Sequence, residues 1–445
     1  MVTKGLKKYG NKKIEFIEVV MIIMYNVVML FHQIISKPII IAIGIIWFMW
    51  FILRKRSEWD ILQKLVFLAC IYVPTSFVSI LGTSYGSFPL TWYHLVMMLS
   101  YVVIIFKGFR MGFYFYSPFI MLLLGIISLW ANVNITDTLK QLLTIVLFII
   151  SFFIGESMDK LTNDKFVVKL KGFYLTSVAA FALLVIIQTI CFKYLNLVVG
   201  YHNIIGQNRI VQAGLMNDYS FATLYIATGA ILLVIDYIDN KSVNTWGFII
   251  YELFFIISML LVNSRTGLFA MIIVMGIYLF VKMIQGKVKS IFIITGIVLV
   301  IPYIIQYVTA SRGGQQIFEG SGRANLINIA IEVFMNNPLF GIGLGVDNWR
   351  SLTGVVLPHN MIAQYLAQLG IIGSFLFYSN FIVLVNKYLK YKSEFFWVLL
   401  TVLIGAMAIP DIVSSRYLSV LVMITIISSI NNRMKTVEGG VNEKS

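Results

Sequence analysis

The chain has 445 residues, 59% of them hydrophobic and 12% charged, with a net charge of +15 and a mean hydropathy of +0.89. Soluble domains carry about 25% charged and about 45–50% apolar residues. One soluble core cannot hide this apolar excess, so a soluble enzyme, a disordered chain and a secreted disulfide scaffold are excluded. The two cysteines, Cys70 and Cys191, sit in apolar runs and supply neither a disulfide framework nor metal-ligand spacing.

A membrane-spanning helix needs about 20 apolar residues. Apolar runs between charged breaks predict spans at 14–35, 38–53, 62–81, 90–106, 113–131, 139–155, 172–191, 216–236, 246–262, 266–283, 291–309, 370–387, 394–410 and 412–430. Only Pro410-Asp411 separates the last two. The predicted fold class is an all-α polytopic membrane protein with about 14 transmembrane helices and a large outer loop. The first apolar stretch is long and lacks a small-residue cleavage site, so no cleavable signal peptide is expected.

The basic residues set the orientation. With a cytoplasmic N-terminus, 25 of the 34 lysines and arginines fall on inner segments and 9 on outer ones. Both termini are therefore expected on the cytoplasmic side of the membrane. The positive charge then reflects topology and membrane lipids as partners, with no nucleic acid. The inner set is 21 lysines and 4 arginines, whereas the outer set is 3 lysines and 6 arginines: Arg209, Arg265, Arg312, Arg323, Arg350 and Arg416. Arginine presents a rigid fork of donors suited to phosphate or carboxylate. The outer excess therefore points to an anionic ligand, against the plainer reading that these residues cap helices and touch headgroups.

Two outer connections are long, 192–215 and 310–358, and loops of this length tend to be functional or disordered. In the second, Ser321-Gly322-Arg323 opens an amphipathic helix in which Leu326, Ile327, Ala330, Ile331 and Phe334 share a face. Asn336-Asn337-Pro338 ends it. Arg323 falls in the first turn, where the dipole disfavours a cation and the free N–H groups favour an anion. The run Pro338-Leu339-Phe340-Gly341-Ile342-Gly343-Leu344-Gly345 lacks dinucleotide-fingerprint spacing and reads as a tight re-entrant turn. Pro358-His359-Asn360 starts a second amphipathic segment, Met361 to Leu369, closed by Gly370. Asn263-Ser264-Arg265-Thr266-Gly267 is a polar pinch between two spans, and Arg209 precedes the helix start Gly214-Leu215-Met216-Asn217-Asp218. Glu252 is the one acid well inside a span, a functional candidate or a paired structural one.

Taken in order, these motifs resemble the superfamily of bacterial O-antigen ligases and polysaccharide repeat-unit polymerases over roughly residues 205–385. They run from an arginine before Gly-Leu-Met-Asn through Ser-Arg-Thr-Gly and Gly-Ser-Gly-Arg to Asn-Asn-Pro-Leu-Phe-Gly-Ile-Gly-Leu-Gly, and end at Pro-His-Asn before Gln-Leu-Gly-Ile-Ile-Gly. The first six or seven helices resemble it in hydropathy alone. The division implied is N-terminal helices over 1–200, a catalytic region over 201–393 that includes the outer loop 310–358, and C-terminal helices with a cytoplasmic tail over 394–445.

The resemblance implies a metal-independent glycosyltransferase that needs no cofactor. It would transfer a glycan from an undecaprenyl-diphosphate carrier to an acceptor hydroxyl at the outer face. The outer acids Asp137, Asp218, Glu319, Glu332, Asp347 and Asp411 are scattered and form no Asp-x-Asp pair. The family's key arginines map onto Arg209 and Arg265, its loop arginine onto Arg323 and its histidine onto His359. Arg209, Arg265, Arg323 and Arg312 are thus expected on the diphosphate, where fixed cations stabilise the leaving group, and His359 is expected as general base. Glu319, Asp347, Asn360 and Asn217 are second-line candidates, Glu319 or Asp347 replacing His359 as base should it prove dispensable.

The favoured activity is polymerisation of O-antigen, capsule or exopolysaccharide from lipid-linked oligosaccharide repeat units, because about fourteen spans exceed the twelve expected of a ligase. Ligation to lipid A core or another acceptor is the alternative. A lipid-linked oligosaccharide flippase would call for internal repeats and polar residues at the midplane, and neither is evident. A chain-length regulator and a flippase are partners by resemblance alone.

Overall fold

The computed structural model describes residues 14–54, 58–80, 90–108, 112–129, 134–205, 209–239, 244–310, 322–388, 391 and 393–442. Among them are sixteen α-helices and one two-stranded hairpin. The helices up to the hairpin are α1 (Phe16–Leu30), α2 (Lys37–Arg54), α3 (Ile61–Ile71), α4 (Trp92–Lys107), α5 (Phe113–Leu129), α6 (Ile135–Ser157) and α7 (Asp164–Leu195). The antiparallel hairpin β1 (His202–Ile205) and β2 (Arg209–Gln212) follows. Then come α8 (Tyr219–Asp239), α9 (Thr245–Val262), α10 (Arg265–Ile284), α11 (Val288–Ala310), α12 (Arg323–Asn336), α13 (Val346–Thr353), α14 (Met361–Tyr388), α15 (Phe395–Gly405) and α16 (Tyr417–Asn442).

Each predicted apolar run is occupied by a helix, and short polar residues at the breaks start many of them. Asn134 accepts from the N–H of Asp137, Asn163 from Phe166 and Asn244 from Trp246, each satisfying a donor the helix itself cannot. Among the described residues, eight helices are long and apolar enough to cross a membrane and six further apolar helical stretches span 10–17 residues, so the chain is an all-α polytopic, integral membrane protein. The shorter set corrects some predicted lengths. The run predicted at 62–81 is helical only to Ile71, because Pro74 cannot continue the hydrogen-bond ladder and Thr75 turns its hydroxyl onto the Tyr72 carbonyl. The run predicted from 412 is helical only from Tyr417, since Asp411 and Arg416 both adopt left-handed backbone (φ 47° and 62°) around a single 3-10 turn.

Burial sorts the helices into layers. In α8, 94% of the apolar window is covered by neighbours, against 22% in α2 and 28% in α9, so α8 is the central post and the other two form the apolar rim. The hairpin adds a β element to the 192–215 connection, which the sequence left as a loop. Gln188 of α7 fixes it, with Nε2 donating to the carbonyls of Val199 (2.7 Å) and Tyr201 (3.0 Å) and Oε1 accepting from Gly214 N (2.9 Å). At the opposite end of the bundle, lysines and arginines pair with carboxylates, among them Lys171 with Asp236 and Glu394, Lys282 with Asp239, and Arg433 with Asp159.

Candidate functional site

The region between α12 and α14 is built around a helix break. Within α14, Gly370 lies at φ 63°, ψ −169°, which interrupts the helical ladder at the predicted position. A break buried among helices leaves backbone groups that must find partners. The glycine-rich turn provides them on both sides. Ile342 N and Gly343 N donate to the carbonyls of Ala367 (3.0 Å) and Gln368 (2.9 Å), while Ile371 N and Ile372 N donate to the carbonyls of Pro338 (2.8 Å) and Leu339 (3.3 Å). A Cβ on Gly341 would meet the Gln368 backbone and one on Gly370 the Leu339 carbonyl, so both positions require glycine. The turn is thus a structural brace, as its sequence predicts.

A polar network ties this brace to the rest of the bundle. Gln141 of α6 exchanges side-chain hydrogen bonds with Gln368 at 3.1 Å and accepts from Gly345 N at 2.6 Å. Asp137 accepts from the backbone N–H of Asp347 (2.8 Å) and Asn348 (3.1 Å), anchoring the start of α13. Asp347 is held by its backbone and its side chain is exposed. Trp349 is buried and donates from Nε1 to the Val356 carbonyl at 3.1 Å.

Three helix ends and one loop converge beside this frame. Gly267, in the first turn of α10, approaches α8 so closely that a Cβ would meet the Thr223 backbone, which places Arg265 next to the start of α8. Leu224, one residue on, packs against Gly405 at the end of α15, where a Cβ would meet Leu224 Cγ at 3.2 Å. The chain leaving α15 then holds the His359 segment, because the Ala406 carbonyl accepts from Met361 N at 3.1 Å and the Ala408 backbone bonds the His359 ring. Asn360 caps α14, its Oδ1 accepting from Ile362 N and Ala363 N at 3.0 Å each. Asp218 caps α8 in the same manner, Oδ1 accepting from Ser220 N (2.6 Å) and Phe221 N (3.1 Å).

The electrostatics link the same residues. Half-buried His359 is held below the ordinary histidine range by burial first and then by the positive charge of Arg323; the Ala408 bond and the negative charge of Asp218 act against this. Its Nδ1 is buried and has no hydrogen-bond partner among the described residues. Arg323, first residue of α12 after the left-handed Gly322 (φ 68°), acts on Arg265 as well as on His359, and Arg265 also senses Tyr219. Burial raises the Asp218 carboxyl, against its two backbone donors and the charge of His359. The His359 imidazole with its unpartnered Nδ1, two guanidinium groups and the half-buried Asp218 carboxyl thus share one end of the bundle. Such a set accepts a proton and binds an oxyanion.

Of the sequence candidates, Arg265, Arg323 and His359 are brought together. Asn217 occupies the turn before Asp218 and is half-buried, while Asn360 serves the α14 cap. The Arg209 backbone lies on β2 opposite Ile205, and its side chain lies outside the described residues, as do Arg312 and Glu319. Arg350 is exposed on α13. Arg416 departs from the expectation of an outer anion ligand: it is buried, donates to the Ser414 carbonyl and lies 4.4 Å over the Phe77 ring. Sequence reading missed Asp218 as a neighbour of His359. The available signal was an acid directly before a helix, which reads as a cap and says nothing of a residue 141 positions away. Among the described residues, no three His, Cys, Asp or Glu side chains gather in a way that could hold a metal ion.

No curated protein matches the chain. Residues 250–378, which run from α9 through the break in α14 and include Arg265, Arg323 and His359, match the family model described as O-antigen ligase. That match supports placing this part of the chain, an integral membrane glycan-processing region, in the O-antigen ligase and polymerase superfamily.

Proposed function

We propose that the protein is a polysaccharide polymerase that joins undecaprenyl-diphosphate-linked oligosaccharide repeat units at the outer face of the bacterial plasma membrane, with both termini cytoplasmic. The observation that carries this reading is the buried, unpartnered His359 Nδ1 under the charge of Arg323, which in turn acts on Arg265. The acceptor hydroxyl gives its proton to His359 and attacks the anomeric carbon. The bond from that carbon to the diphosphate breaks, and the lipid diphosphate leaves with the electron pair. Arg265 and Arg323 stabilise the charge that grows on the leaving oxygens, a task that fixed cations in a water-poor site perform without reorganisation. Arg209 and Arg312 are assigned to the same diphosphate, and no metal is required in this scheme. Asp347 and Asn360, held as described, are not given a chemical step.

The family description favours a second reading, ligation of a finished glycan from the same carrier to lipid A core or another acceptor. The two differ in product. In cells lacking the gene, surface polysaccharide consisting of a single anchored repeat unit with no ladder identifies a polymerase. Full-length chains retained on the lipid carrier identify a ligase. An unchanged ladder overturns both.

A further inference from the structure

The proposed chemistry leaves an electrostatic problem. When His359 takes the acceptor proton it becomes an imidazolium, and the charge of Arg323 already disfavours that form. Arg323, a cation assigned to the diphosphate, therefore opposes the general base. A second anion that stays in place throughout turnover would resolve the conflict, since the diphosphate itself departs.

We propose that Asp218 is a positioning residue of the transfer reaction, a fixed counter-charge that acts through His359 and stabilises its protonated form. The inference rests on the reading of His359 as general base. Geometry supports it. Asp218 is fixed by the two backbone donors of the first turn of α8. The next turn of α8 is packed against the start of α10 through Gly267 and Thr223, and against the end of α15 through Leu224 and Gly405. The residues just after Gly405 hold Met361 and His359. Asp218 and His359 are therefore held to one rigid frame, which keeps their separation fixed while substrates exchange. The charged and titratable groups around the pair are Arg323 from α12, which acts on His359, and Tyr417 from α16, on which Asp218 acts; Arg265 and Tyr219 lie at the adjoining helix starts. Among the interactions that act on His359, Asp218 is the negative one, and its interaction favours the imidazolium.

Helix capping and charge separate cleanly at this position. Asparagine caps a helix about as well as aspartate, so Asp218→Asn keeps the start of α8 and removes only the charge. The test uses the full-length protein in lipid nanodiscs, with ethoxycarbonylation of His359 by diethylpyrocarbonate followed across pH by peptide mass spectrometry. The reagent modifies neutral imidazole, so the midpoint reports protonation of His359 without needing activity. Asp218→Asn is expected to move that midpoint down by about half a pH unit or more and to lower kcat for glycan transfer about tenfold. Asp218→Glu, which keeps the charge, is expected to restore most of the midpoint. A wild-type midpoint in folded Asp218→Asn overturns the proposal; should that variant not fold, Asp218→Ser, which also caps, must show the same downward move or the proposal falls. Failure of the wild-type protein to transfer glycan would instead overturn the functional reading, and the two failures are read from separate measurements.

Discussion

The two ends of the helical bundle treat positive charge in opposite ways. At the end carrying the starts of α1 and α7, cations are neutralised: Lys171 sits between Asp236 and Glu394, Lys282 pairs with Asp239 at 2.7 Å, and Lys169 reaches Glu18 at 3.7 Å with both side chains buried. At the end carrying the starts of α8, α10 and α12, the charges of Arg265 and Arg323 act against each other, and Arg323 helps hold His359 below its ordinary range. Like charges placed near one another and beside a perturbed histidine mark a candidate functional site. The comparison teaches that the number of arginines on a face is a weak guide and their company a strong one. Arg416 has the same residue type and the same side of the chain, yet it is buried over an aromatic ring and bonded to the backbone, as a structural cation would be.

The comparison can be broken by mutation. The largest effect is expected for Arg265→Ala, which should lower glycan transfer by about 100-fold or more with membrane insertion unchanged; activity within twofold of wild type would remove Arg265 from the chemistry. His359→Ala should lower kcat by about 100-fold, measured in the same transfer assay, and full activity would transfer the role of base to Glu319 or Asp347. Next comes Gly370→Ala. It forces a side chain into left-handed backbone against the Leu339 carbonyl and should cost about 1–3 kcal/mol, read as a fall in the thermal midpoint in detergent. The pH profile gives a subtler check. Because the folded protein holds His359 below its ordinary range, the neutral base persists on the acid side, and the acid limb of kcat/KM should lie below about pH 6.5. A limb at or above that value would contradict the burial and the Arg323 charge that set it. Smallest is Lys282→Ala at the opposite end, where a partly exposed ion pair is worth at most about 1 kcal/mol; transfer should be unaffected, and a large loss would erase the distinction between the two ends.

Much of the frame was legible in the residues themselves. The helix over Arg323–Asn336 follows from apolar spacing and its Asn-Asn-Pro stop, and the interruption at Gly370 follows from a glycine at the end of an amphipathic run. The glycine-rich run reads as a tight turn, and it folds as one that braces the break in α14. Less was legible where polar and aromatic residues compete with apolar continuity. The 62–81 run contains Pro74 and Thr75, whose local bonding ends the helix ten residues early. The hairpin at 202–212 depends on Gln188, a residue inside α7 whose partners are more than ten positions away. Of the site, Arg265, Arg323 and His359 could be named from motif order. Asp218 could not be assigned to His359, and Asp137 could be grouped with other acids but not recognised as the anchor of α13.

What the sequence determined by itself is the solvent and the local geometry. An apolar fraction this high requires lipid, runs of apolar residues between charges become helices, and caps and glycines start and stop them, because all of these are decided by groups within a few residues of one another. What only the tertiary structure decided is which charges share a neighbourhood. Whether an arginine is a ligand or a structural cation, and whether an acid beside a helix is only a cap or also acts on a distant histidine, depends on the packing of α8, α10 and α15, where the close approach of the Thr223 backbone to Gly267 and of the Leu224 side chain to Gly405 brings remote segments together. Coulomb interactions act through space and are indifferent to chain separation, so no local pattern encodes them.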